Sequence, residues 1–257
     1  MNTLRHTPRR SRQAGFTLVE MMVAVTIGLI VLFGMTATFV NLKNTFRSQD
    51  KLGQLQDNER LALTFLTNAI NEAGYYPDPK SASTIGAVGS LAAPTTSPAS
   101  PGGTMPAAVG VFGTADGSTA TTPESLQTAY ASLSTDGLIS CIGTSYAGSA
   151  TVAATVRNIY YVDPTTNSLM CRVLVNGAGT DAMANGGTPQ VLVTGISKMQ
   201  VYYGLAPASN PHQVNNYVAP GSVTDWTTVK SVRISLTFAN PFGGADIKRM
   251  HTINVMN

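Results

Sequence analysis

Few residues of this 257-residue chain have types and spacing suited to catalysis. Of its three histidines, His6 lies in a basic N-terminal stretch, which leaves His212 in a polar segment and His251 near the C-terminus. A Ser–His–Asp triad needs its nucleophile on a sharp turn, and no nucleophile-elbow spacing accompanies either histidine. No glycine-rich loop follows a strand and opens a helix, so a nucleotide phosphate has no cradle. Asp181-Ala-Met-Ala-Asn185-Gly-Gly resembles a calcium loop loosely, but it lacks the terminal acid. The expectation is no catalytic residue, no cofactor and no metal.

Cys141 and Cys171 are a different matter. Two cysteines exclude a cysteine-only zinc site and a dense disulfide scaffold. Both fall in expected strands that flank residues 152–162. Outside the reducing cytoplasm such a pair persists as a disulfide, here Cys141–Cys171. Closing that loop would stabilise the fold by about 3–4 kcal/mol in the chain-entropy model. The alternative is two unrelated buried thiols.

Whether the chain leaves the cytoplasm is decided at its start. Arg5, Arg9, Arg10 and Arg12 precede residues 21–40, which contain no charge and no proline. Twenty helical residues rise about 30 Å, enough to cross the hydrocarbon core of a bilayer. The arginines hold the start inside and send the remainder outward. A cleaved secretory signal, with Thr36-Ala37-Thr38 as cutting site, and an uncut anchor both fit this pattern. A twin-arginine signal is disfavoured, because Arg9-Arg10 is followed by Ser-Arg-Gln. A third reading turns on the junction Gly15-Phe16-Thr17-Leu18-Val19-Glu20. Glu20 heads an apolar helix, where an acid costs roughly 2–3.5 kcal/mol at the membrane centre and less at the interface. It either snorkels to the headgroups or has a partner.

These residues need elements to position them. From 41 to 73, Leu42, Phe46, Leu52, Leu55, Leu63, Leu66 and Ile70 recur at helical spacing, with Lys43, Arg47, Asp57 and Glu59 on other faces. Gly74 and Pro77 supply a stop. A helix over 16–73 would be about 87 Å long. Gly28 and Gly34 either allow close helix contact or are tolerated small residues. A coiled-coil dimer is the other option, but the spacing is not a sustained heptad. Residues 81–121 are mostly Gly, Ala, Ser, Thr and Pro, which reads as loop, with a short helix near 122–133 opened by Pro123. Strands are expected at 138–142, 152–162, 169–175, 190–193, 198–203, 229–239 and 247–255. A hairpin loop is expected at Asp163-Pro164-Thr165-Thr166-Asn167. Alternation over 232–238 predicts a sheet with one face in water or against a neighbouring subunit. The plan is α+β, a long helix laid across an antiparallel sheet. Its segments are a leader at 1–15, a membrane half-helix at 16–40, an amphipathic half-helix at 41–75, a loop region at 76–136 and a sheet at 137–257.

Charge supports an anchored protein and not a nucleic-acid binder. The formal charge is +3, but without the four leader arginines twelve basic residues face thirteen acidic ones. Charged residues are only 11% of the chain, which excludes a coiled coil or a charge-driven disordered protein.

The string Gly15-Phe16-Thr17-Leu18-Val19-Glu20, followed by an uncharged run, resembles the class III signal of type IV prepilins. Further segments are similar to PilW-type minor pilins: 23–29, Asn71-Glu72-Ala73-Gly74-Tyr75, 226–234 and 252–257. Residues 81–136 have no such counterpart, and the helix lacks the proline that many major pilins carry in its first half. The resemblance implies a type IV pilin-like fold. It implies cleavage between Gly15 and Phe16 by a prepilin peptidase, N-methylation of Phe16 and retention of the apolar helix. Glu20 would then neutralise the N-terminal amine of a neighbouring subunit, an ion pair that costs little in a dry setting only when both members are present. The implied life history begins in the bacterial inner membrane, single-pass, with the C-terminal domain in the periplasm. It continues through the assembly platform into a pilus, near the tip, with other minor pilins, the major pilin and an adhesin. The alternative is a pseudopilin of a type II secretion system. A membrane-anchored periplasmic enzyme or binding protein is a third class, for which the sequence holds no constellation.

Overall fold

The computed structural model describes residues 15–77, 105–106, 109–115, 123–145, 153–176, 181–183, 188–211 and 213–255. Helix α1 runs over Leu18–Glu72, within a residue or two of its expected ends. Two compact units divide the chain, Met1–Lys51 and Leu52–Asn257, so the boundary falls inside the helix. Gly74 ends the helix with φ 81°, a left-handed conformation that glycine adopts without steric cost. Its N–H donates to the Ala129 carbonyl (2.8 Å), which ties the helix end to the sheet.

The second unit is built on two antiparallel sheets. One has β1 (Val111–Thr114), β2 (Ser125–Ser132), β3 (Ala154–Asp163), β4 (Ser168–Asn176) and β5 (Asp181–Met183) in that spatial order, with β6 (Gln190–Thr194) also on β4. The other has the order β10 (Ile247–Asn254), β9 (Val229–Phe238), β7 (Ile196–Leu205), β8 (Asn216–Val218). The chain changes sheets at Gly195, a single residue with φ 83° between β6 and β7. Asn58 on the helix donates to the Thr194 carbonyl beside it (3.0 Å). The expected strands 190–193 and 198–203 are therefore present, but they belong to different sheets.

The helix presents Ala62, Leu66, Ala69, Ile70 and Ala73 at three- and four-residue spacing, all buried in one cluster with the inward faces of both sheets. Burial of Leu66 and Ile70 contributes about 1.5–3 kcal/mol each. Alanines on the same stripe let the backbone come close to the strands.

Two expectations are corrected. The segment expected as a short helix near 122–133 is strand β2, laddered on both sides by β1 and β3. All eight of its residues are buried, polar Gln127 and Thr128 among them, so no alternation of polar and apolar positions marks it as a strand. Ladder bonds to two neighbours override the helix preference of Leu, Gln and Ala. Residues 138–142, expected as a strand, form a turn in which the Ser140 N–H donates to the Thr144 carbonyl (2.9 Å) and Gly143 N–H to the Ser140 carbonyl (2.8 Å). Strands β1 and β2 both lie within the stretch 76–136 read as loop.

Candidate assembly site

The first turn of α1 is closed by Thr17 and Glu20. Thr17 N–H donates to Glu20 Oε2 (2.9 Å), Thr17 Oγ1 donates to the same oxygen (3.1 Å), and Glu20 N–H donates to Thr17 Oγ1 (3.3 Å). This reciprocal pair is a capping box, the Thr-x-x-Glu arrangement that satisfies two orphan donors at a helix start. In lipid no water replaces such partners, so the cap matters more there than at a protein surface. The spacing stands in the sequence, yet the charge of Glu20 suggests only an intersubunit partner. Thr17 is the functional residue that charge-based reasoning misses.

No residue from Gly15 to Leu52 is buried, and Phe16 is 83% exposed. This stretch contains a run long and apolar enough to cross a membrane. Its hydroxyls are satisfied inside the helix: Thr26 donates to the Val23 carbonyl, Thr36 to Phe33 and Thr38 to Gly34, at 2.9–3.0 Å. Hydroxyls paired in this way enter an apolar environment without an unmet hydrogen bond. A Cβ added at Gly28 or Gly34 meets no atom within 4 Å. The helix thus offers a long apolar surface with one carboxylate at its head.

In the second unit, Cys141 and Cys171 are joined as a disulfide with Cα atoms 6.4 Å apart. Cys171 is buried in β4, whereas Cys141 lies in the turn after β2, so the bond fastens that turn across β3. Asn158 of β3 accepts from the Cys141 N–H (3.3 Å). Trp226 bridges the sheets, with its ring 4.6 Å from Phe112 of β1 and 4.8 Å from Tyr203 of β7. Burial pushes the Tyr203 phenol well above its ordinary value, so it stays neutral and donates to the Phe112 carbonyl (3.3 Å). Asp225 caps the short turn Trp226–Thr228 by accepting from Thr227 Oγ1 (2.7 Å) and Thr227 N–H (2.9 Å), and these bonds lower its pKa. Glu72, half-buried in the last turn of α1, has its pKa raised by burial. Its charge adds to the burial that raises the Tyr130 and Tyr160 phenols.

His251 lies exposed on β10, and His212 lies outside the described residues. Asp181 opens β5, and the rest of the loose calcium-like string, 184–187, lies outside them too. Among the described residues no three His, Cys, Asp or Glu side chains are grouped to hold a metal.

Residues 10–36 match the family model of the prokaryotic N-terminal methylation motif. Residues 159–253 match that of type IV pilus-assembly protein W, a span from the middle of β3 to within one residue of the end of β10. A search of curated proteins finds no match. With the methylation motif over the capped helix start and the PilW match running from β3 to β10, the chain is similar to PilW-type pilins of the type IV pilus class.

Proposed function

We propose that this chain is a non-enzymatic pilin subunit that primes pilus assembly and sits at or near the tip with other minor pilins and an adhesin. The prepilin peptidase hydrolyses the Gly15–Phe16 bond, and the amine released on Phe16 is then methylated. Residues 16–40 hold the subunit in the inner membrane with its β domain in the periplasm until the assembly platform transfers it to the filament. The observation that carries this reading is the exposed apolar half-helix headed by a single carboxylate. In a bundle of such helices, Glu20 pairs with the Phe16 amine of a neighbour. A lone buried charge costs several kcal/mol, which the pair largely offsets. The PilW match favours the pilus over a secretion pseudopilus.

The test is deletion of the gene followed by complementation, with surface pili counted and partner pilins co-purified. Few pili in the deletion strain, restored by the wild-type chain, is the expected result. Normal piliation together with a defect in protein secretion would overturn it.

A further inference from the structure

Among the described residues, strand β10 is the edge of the four-stranded sheet and pairs only with β9. Its residues 248–252 are all exposed, and Met250 is 59% exposed. The Val255 N–H donates to the Lys230 carbonyl (2.9 Å), and the β9–β10 register continues from that pair without a break. Hydrogen-bonded pairs alternate along an antiparallel ladder, so residues 247, 249, 251 and 253 bond to β9. Lys248, Met250, Thr252 and Asn254 therefore turn their N–H and C=O groups outward, as a template for one more strand.

The charge of this sheet selects the strand that fits. Strands β7 to β10 contain no Asp or Glu, but they carry Lys198, Lys230, Arg233, Lys248 and Arg249. Arg249 is neutralised by Glu59 of the helix (3.0 Å). Lys198 and Lys248 flank Thr237 on the outer face, as the register sets both opposite it. A second copy of β10 would bring a second Lys-Arg-Met-His string against the first, with no acid inside either string, since Asp246 lies before the strand and accepts from Ser197 Oγ (3.0 Å). Outward N–H and C=O groups repeating every second residue match a polypeptide and not a nucleic acid or a glycan.

We infer that the open edge of β10 is a β-augmentation site for an extended, acidic segment of a different protein. Main-chain bonds to Lys248, Met250 and Thr252 give the partner its register, and Lys248 with Lys198 selects its charge. The inference stands on the sheet edge alone and not on the tip location. Edge lysines also discourage unwanted pairing, so the same residues that repel a second copy attract an acidic strand.

The test places a photo-crosslinking residue at Thr252 of the full chain in its native host, followed by mass spectrometry of the cross-linked peptides. The expected adduct is a segment of another protein in which acids outnumber bases. Its yield should fall about tenfold in Met250→Pro, which removes an outward donor but no β9 bond, and similarly in Lys248→Glu. Met250→Leu should keep the yield. Protease resistance of each variant confirms that the domain is folded. If Met250→Pro fails that control, Lys248→Glu and Met250→Leu decide. No protein adduct, an adduct only to a second copy or to a non-protein polymer, or a yield indifferent to the folded variants would overturn the inference.

Discussion

Glu20 has two partners to serve, Thr17 within its own chain and, in the proposed filament, the amine of a neighbour. Glu20→Gln keeps an oxygen for the Thr17 N–H but has no charge to neutralise the amine. It should therefore keep the helix start, read as unchanged helix content in micelles, while co-purification with partner pilins drops. Glu20→Val loses both roles and should be cleaved and inserted yet assemble worst. Normal piliation with Glu20→Val would show that the residue only snorkels to the headgroups. At the other end of the helix, burial raises the Glu72 pKa above its ordinary value of 4.5. The folded state thus favours the protonated acid. The associated stability is complete below about pH 4.5 and is lost as pH rises through the raised value. Glu72→Gln should flatten that decline and raise the neutral-pH melting temperature. Parallel pH profiles for the two proteins would refute this. Glu20 is legible in the sequence because one charge in an apolar run is conspicuous. The environment of Glu72 is not, because Tyr130 and Tyr160 approach it only through the tertiary fold.

Elements were legible where one face is wet and obscure where both are dry. Strands β7, β9 and β10 lie in a sheet with an outer face, so alternation and turn residues mark them. Strand β2 is buried on both faces, and its alanines and Gln127 carry no period to read. Gln127 accepts from Arg157 Nε (2.8 Å) and donates to Ser125 Oγ (3.0 Å), a buried polar chain assembled from separate strands. The exchange of sheets at Gly195 is invisible for another reason, since one left-handed residue between two apolar runs also fits a simple bend. The sequence pattern puts both cysteines on strands, but Cys141 lies in a turn, so the bond holds irregular backbone against β3 and β4. Cys141→Ser should destabilise the second unit by about 3–4 kcal/mol, lowering its melting temperature by roughly 6–15 °C. Non-reducing peptide mapping that finds both thiols free in exported protein would remove the basis for that expectation.

At the scale of the molecule, orientation, processing and oxidation are one prediction, because the same arginines govern all three. Arg5, Arg9, Arg10 and Arg12 precede Glu20 with no acid among them, and in the proposed topology they keep the start of the chain on the cytoplasmic side. That places the Gly15–Phe16 bond on the side where the prepilin peptidase cuts in the proposed pathway. It also places Cys141 and Cys171 on the oxidising side, where a disulfide persists. Replacing all four arginines with glutamine should weaken the orientation signal and yield a fraction that is both uncut and reduced. A bulky residue at Gly15 should block cutting without altering orientation, so that chain should be uncut but oxidised. Intact mass reads the cleavage, and thiol labelling before and after reduction reads the disulfide in the same sample. The two variants must therefore separate: mass and oxidation change together in the arginine variant, and mass alone changes in the Gly15 variant. Complete cleavage and full oxidation in the arginine variant would mean that the apolar helix orients itself without the leader's charge. The proposed link between the two ends of the chain would then fail.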